Sequence, residues 1–289
     1  MDSRRSPARL ALIAPPALYL FVFLAIPMGL MGLLSFRPAL RGGIANFDWT
    51  PTLEHYRATF AEGGYTRLLW LSVGVALVVA LITTALAYPV AYFLAFRAGR
   101  RAPLLLTLLI IPFWTSYLLR LIAWKIILGT NGAINSFFLW TGVIEEPVGL
   151  LLYSRTAVVV TLVYVWLPFV ALPIYASLLR IDRSVLEAAG DLGARPWQRL
   201  LRVTLPLSAP GVFAAYLMVF IPTVGEYVSP LLVGGSKGSL YGNIIEIFFG
   251  DGINWPRGSA MAMIMLAGVM ALVLLIARVV NVRRIVEEP

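Results

Sequence analysis

The chain has 289 residues, of which 60% are hydrophobic and only 13% charged, and its mean hydropathy is +0.86. That is too little charge to cover the surface of a soluble domain, so the composition excludes one and points to an integral membrane protein. A net charge of +9 marks loops at a membrane surface here rather than a nucleic-acid partner, and the complete lack of cysteine excludes disulfides and thiolate-bound metal.

Runs long enough to cross a hydrocarbon core of about 30 Å need about 20 apolar residues. Six are predicted, at roughly 10–34, 68–94, 104–128, 156–180, 208–232 and 258–280. The expected fold class is therefore all-α, with one transmembrane domain over residues 1–289. The first span follows "MDSRRSPAR", which has the look of a signal-peptide leader. Its apolar run is longer than the roughly 7–15 residues of a cleavable h-region, so it is read as an uncleaved helix. The lone histidine, His55, falls in what reads as a polar loop between the first two spans, an unpromising place for a metal site or a proton relay.

Span three carries Trp114, Tyr117, Arg120 and Trp124 at spacings of three and four, which on one continuous helix makes an aromatic stripe with a cation in it. Lys125, one residue further, is expected to snorkel to the interface. Span five carries Glu226 among Pro222, Thr223, Gly225, Ser229 and Pro230, a composition suited to a helix interrupted beside a cavity. Counted as straight rods at 1.5 Å per residue, Glu226 lies about 27 Å and Arg120 about 24 Å from the starts of their spans, at similar depth.

Orientation follows from the basic residues. With the N-terminus inside, the inner segments hold Arg4, Arg5, Arg9, Arg97, Arg100, Arg101, Arg180, Arg183, Arg195, Arg199, Arg202, Arg278, Arg283 and Arg284. The outer ones hold Arg37, Arg41, Arg57, Arg67, Arg155, Lys237 and Arg257, diluted by Asp48, Glu54, Glu62, Glu145, Glu146 and Asp251. Fourteen against seven predicts that both termini are cytoplasmic, and an even number of spans agrees.

The longest inner segment, 181–207, reads as two short helices. Ser184 and Glu187 are spaced as a capping box that opens the first, and Gly193 stands where a left-handed residue closes it. Pro196 suits the first turn of the second, and Leu205-Pro206 is expected to stop it and turn the chain into span five. Val185, Leu186, Ala189, Trp197, Leu200 and Leu201 give the pair an apolar face that water does not reward. Two occupants fit that face: a lipid surface, or a groove on a cytoplasmic partner.

Glu187-Ala188-Ala189, three residues, Gly193, nine residues, Val203, one residue and Leu205-Pro206 closely resemble the EAA loop of ATP-binding-cassette importer permeases, EAA-x3-G-x9-I-x-LP, with valine in place of isoleucine. "PALYLFVFLAIPMGLMGLLSF", "IIPFWTSYLLRLIAWKIILGTNGAINSFF" and "FIPTVGEYVSPLLVGG" are similar to permeases of the putrescine/spermidine type. The resemblance implies a type I importer permease in a bacterial inner membrane, whose loop residues, Arg195 and Trp197 among them, dock on an ATPase subunit. It further implies a dimer of such subunits that binds ATP and Mg, a second permease chain, a periplasmic binding protein, and a polyamine, opine, other amine or aminophosphonate cargo.

The chain has no G-x-x-x-x-G-K-[ST] segment; "LVGGSKGS" has neither the spacing nor the setting. No cofactor is expected on this chain, and it is not itself an enzyme. An ATP-independent secondary transporter or channel accounts for the spans but leaves the two-helix loop without a role. Tyr117, Trp114, Trp124, Arg120, Thr223, Ser229 and Glu226 are the candidates for a path or gate. Two readings of the charges stand: an ion pair between Glu226 and Arg120 that locks two helices, or an amine site in which Glu226 attracts ammonium groups and aromatic faces add cation–π contacts.

Overall fold

A computed structural model describes residues 7–38, 50–149, 153–250 and 254–279. Among them every regular element is helical, so the expected fold class holds. The helices are α1 (Pro7–Leu20), α2 (Ile26–Leu34), α3 (Glu54–Ala61), α4 (Gly63–Phe96), α5 (Ala102–Ile110), α6 (Tyr117–Ile127), α7 (Ala133–Trp140), α8 (Arg155–Leu178), α9 (Arg183–Asp191), α10 (Pro196–Arg199), α11 (Leu205–Val224), α12 (Gly235–Gly238), α13 (Tyr241–Phe249) and α14 (Trp255–Val279). Among the described residues five stretches are long and apolar enough to cross a membrane: Ala14–Leu34, Gly63–Phe96, Arg155–Leu178, Pro196–Val224 and Trp255–Arg278. A sixth is broken, Gly99–Trp114 and Tyr117–Ile127 meeting at 89°. Arg4, Arg5, Arg41, Asp48, Asp251, Arg283 and Arg284, used above for orientation, lie outside the described residues.

The contacts divide the chain into two compact units. One comprises the chain up to Thr66 with Ile244–Gly268, the other Arg67–Asn243 with the chain from Val269 onward. In the first, His55 sits not in a polar loop but buried on α3. Desolvation holds its pKa below the usual 6.5, outweighing the pull of Glu54. The second is organised by α8 against α11. Gly211 is what brings them together: a Cβ there would run into the Ser177 Cβ, so the two backbones touch, as small residues allow in membranes. Ser177 donates to the Ser208 carbonyl at 3.4 Å, and Tyr88 of α4 shares a 3.0 Å bond with the Ser208 hydroxyl. Within this unit Ala76, Val79, Ala80, Leu162, Val170, Ile174, Val219 and Phe220 are fully buried.

Some hydroxyls within the spans are satisfied by their own helices, while those of Thr84, Thr161, Thr223 and Ser259 are buried without a hydrogen-bond partner. Ser72 and Thr83 donate to carbonyls four residues back, at 3.0 and 2.6 Å, which keeps them from costing an unpaired group in lipid. At the start of α8, the Ser154 hydroxyl accepts from the Ala157 N–H at 3.0 Å, an ordinary N-cap.

Candidate functional site

The loop 181–207 forms two helices at a fixed angle, with one change at each end. The N-cap of α9 is Asp182, not Ser184: its Oδ1 accepts from the Ser184 N–H at 3.0 Å. A cap residue must stand outside helical geometry, and Asp182 does, with φ −64 and ψ 130, whereas Ser184 is already inside the helix. The Ser184 backbone N–H, and then its hydroxyl, hold the Asp182 carboxyl below the usual carboxylate range.

Gly193 has φ +81. The Ala194 N–H donates to the Ala189 carbonyl at 3.0 Å and the Gly193 N–H to the Gly190 carbonyl at 2.9 Å, the paired bonds of a Schellman turn. Two residues later Pro196 opens α10, and Gln198 Oε1 accepts the Arg195 N–H at 2.8 Å. Arg199 then reaches back, so that a Cβ on Gly190 would stand 3.3 Å from its Nη1. This contact packs the two helices together.

Leu205-Pro206 does not stop the second helix. Pro206 lacks the N–H that an α-helix would place on the Arg202 carbonyl. The helix widens ahead of it into a π turn, Leu200–Thr204, where the Leu205 N–H donates to the Leu200 carbonyl and Thr204 Oγ1 to the Arg199 carbonyl at 3.2 Å. The ring is accommodated without a break, and one rod runs from Pro196 to Val224. Glu187 and Ala188 are exposed, as are Val185, Trp197 and Leu201, and Leu192 is 89% exposed. Val203 is half-buried, and Leu205 and Pro206 are exposed.

The second group of expected residues sits at two broken helices. The stripe on span three is interrupted: Ile111–Trp114 is a tight 3-10 turn, and Thr115 and Ser116 are extended before α6 begins. Pro112 cannot donate backward, and the Thr115 hydroxyl takes the Pro112 carbonyl at 2.6 Å. Trp114 is thus left off the helix and 79% exposed, while Tyr117, Arg120 and Trp124 share α6. Their depth no longer follows from a straight rod. Trp124 packs on Tyr164 of α8 with ring centroids 5.3 Å apart. Lys125 Nζ lies 5.9 Å from the Tyr153 ring.

Span five breaks at Gly225–Tyr227 instead of running to 232. Glu226 Oε1 accepts the N–H groups of Val228 and Ser229, each at 2.9 Å. The buried Ser229 hydroxyl meets the Tyr117 hydroxyl at 2.8 Å, which ties this break to α6. Arg120 forms no ion pair with Glu226; its guanidinium carbon lies 4.5 Å from the Phe113 ring centroid and 5.9 Å from that of Tyr117, and its buried Nε has no hydrogen-bond partner. Thr223 is buried with its hydroxyl unpartnered.

Residues that the sequence did not single out complete this arrangement. Asn243 Nδ2 donates to the Tyr227 carbonyl at 2.8 Å, and its Oδ1 accepts the Leu240 N–H at 2.9 Å. The Tyr241 N–H donates to the Ser72 hydroxyl at 2.8 Å. A Cβ on Gly242 would lie 2.6 Å from the Gly225 carbonyl oxygen. The short polar pair Gly242-Asn243 in an apolar run was their only signal. Among the described residues no cluster of His, Asp or Glu could hold a metal.

Comparison with known proteins places this geometry. The family model described as binding-protein-dependent transport system inner membrane component matches residues 10–287. The spermidine/putrescine transport system permease protein of Salmonella typhimurium (strain SL1344) is 42% identical over 225 residues, 78% of this chain and 77% of that protein. The protein of the same name from Haemophilus influenzae is 36% identical over 258 residues, 89% and 88% of the two chains. In fold, the chain is similar to one of a bacterial ABC transporter involved in the import of the acidic polysaccharide alginate, with a TM-score of 0.75 at 16% identity over 97% of this chain and 96% of that one. The chain belongs to the family of binding-protein-dependent transport system inner membrane components, the permease subunits of ABC importers.

Proposed function

We propose that the chain forms half of the translocation path of an inner-membrane importer for polyamines of the putrescine and spermidine type. On this reading residues 1–289 are one transmembrane domain with both termini in the cytoplasm. Its partners are a second permease chain, a periplasmic binding protein and a dimer of ATPase subunits that binds ATP and Mg. The observation that carries it is the loop: α9 and α10 leave Val185, Leu192, Trp197 and Leu201 uncovered by this chain, on a two-helix element whose angle is fixed by Gly193 and by the Arg199 packing. A rigid pair of helices with an exposed apolar face suits a groove on a protein better than a flat lipid surface, which demands no fixed angle. The names of the relatives support the cargo.

The broken helices border the path. Arg120 already occupies the faces of Phe113 and Tyr117, so Trp114 and Trp124 are the rings left for ammonium groups, each contact worth about 1–2 kcal/mol.

The test is ATP hydrolysis by the purified complex in lipid vesicles with binding protein loaded in turn with putrescine, spermidine, an opine or an aminophosphonate. Stimulation by the two polyamines and not the others supports the reading, and stimulation by an opine or aminophosphonate alone reassigns the cargo. Uptake by the permease chains without the ATPase subunits would return the secondary-transporter reading.

A further inference from the structure

We propose that Glu226 is a positioning residue: its carboxylate pins the break in span five by capping the short helical segment that follows, residues 228–234, and cargo amines are recognised elsewhere. A helix that restarts inside a membrane begins with N–H groups that have no partner, and lipid supplies none. Two of these, on Val228 and Ser229, converge on one oxygen of Glu226 at 2.9 Å each. The carboxylate therefore stands at the positive end of the helix dipole, where an anion is stabilised without a second charge. This explains how a glutamate and an arginine on neighbouring broken helices coexist without pairing.

The break is held from three further directions. Ser229, whose N–H is capped by Glu226, bonds through its hydroxyl to Tyr117. The Tyr227 carbonyl takes the Asn243 amide, and Gly242 fits only because it has no side chain to meet the Gly225 and Glu226 carbonyls. Removing the cap releases the Ser229 end of this set, and with it the link to Tyr117 and to the Arg120 stack. Glu226 thus governs the aromatic lining without touching what passes.

The proposal rests on the permease reading for its functional consequence, but the cap itself is measured independently. Glu226→Gln keeps an acceptor oxygen and loses the charge; Glu226→Leu loses both. In vesicles holding the full complex, the Gln variant is expected to take up putrescine within about threefold of wild type and the Leu variant to lose about tenfold or more, since caps of this kind shift local equilibria by about 2- to 30-fold. Equal loss in both variants, with a raised KM for the loaded binding protein, would overturn the proposal in favour of a charge that binds amines. Hydrogen exchange at the Val228 and Ser229 amides gives a second measurement in the same complex. Protection in wild type and the Gln variant with about tenfold faster exchange in the Leu variant supports the cap; equal protection in all three overturns it. If the wild-type complex moves no polyamine at all, the cargo assignment fails while the exchange result still decides the role of Glu226.

Discussion

Gly193→Val isolates the conformational part of the proposed coupling loop. The residue sits at φ +81 with open space around it: a Cβ placed there meets nothing within 4 Å. The cost of a side chain within this chain is therefore backbone strain alone, about 1–2 kcal/mol for being held in the left-handed region, and most severe for a β-branched residue. If the turn relaxes instead, it gives up the bonds from Ala194 to Ala189 and from Gly193 to Gly190. In the relaxed turn α10 leaves α9 at a different angle, and a strain of about 1–2 kcal/mol depopulates the original geometry by about 5- to 30-fold. Asparagine tolerates the left-handed region, so Gly193→Asn should retain most coupling, Gly193→Ala less and Gly193→Val least. The assay is retention of the ATPase subunit and substrate-stimulated ATP hydrolysis in membranes with equal amounts of permease. Wild-type coupling in a normally expressed Val variant would refute the reasoning. Equal damage from Asn and Val would refute it differently, by showing that bulk against a partner, not φ, is what matters.

Gly211→Ala forces a methyl into the Ser177 Cβ; it should lower thermal stability in detergent by about 1–3 kcal/mol, and Ser177→Gly should restore most of that loss. Because burial lowers the pKa of His55, the folded state disfavours its protonation; stability is full above pH 6.5, the ordinary value, and declines as pH falls below it. His55→Phe should flatten that decline in melting curves taken between pH 7.5 and 5, values chosen to bracket about pH 6.5. A single cysteine at position 5 or 286 in this cysteine-free chain should resist an impermeant thiol reagent in intact cells; labelling at either would reverse the proposed topology.

What could be read in the sequence was whatever a single segment decides. Gly193 was legible because a C-cap needs a left-handed residue and only nearby bonds complete the turn. Pro196 was legible for the same reason. Asp182 was missed because a cap and a capping box compete over two residues, and spacing alone favoured the Ser184–Glu187 pair. Pro206 misled because the π turn before it, which spares the helix, has no sequence mark of its own. The stripe from Trp114 to Trp124 assumed continuity through Pro112-Phe113-Trp114-Thr115, where the chain turns by 89°. The composition around Glu226 did indicate an interrupted helix, yet its carboxylate was set against Arg120 and not the amides two and three residues away. Asn243 to Tyr227 and Tyr241 to Ser72 join segments far apart in the chain, and periodicity is blind to such partners.

The uninterrupted rod from Pro196 to Val224 has a mechanical consequence. Its 29 residues span about 43 Å at 1.5 Å per residue, with the docking element at one end and the Glu226 break at the other. Had Pro206 ended the helix, a swing of the docking element would have been absorbed by a slack joint. As built, the rod is continuous through the Gly211–Ser177 crossing, so a displacement at one end would be passed along it instead of being lost at a joint. The π turn at Leu200–Thr204 is one compliant point, close to the α9–α10 end, and Pro210 and Pro222 interrupt the hydrogen bonding further along. Stiffness is then one property that residues 205–224 would contribute to transport.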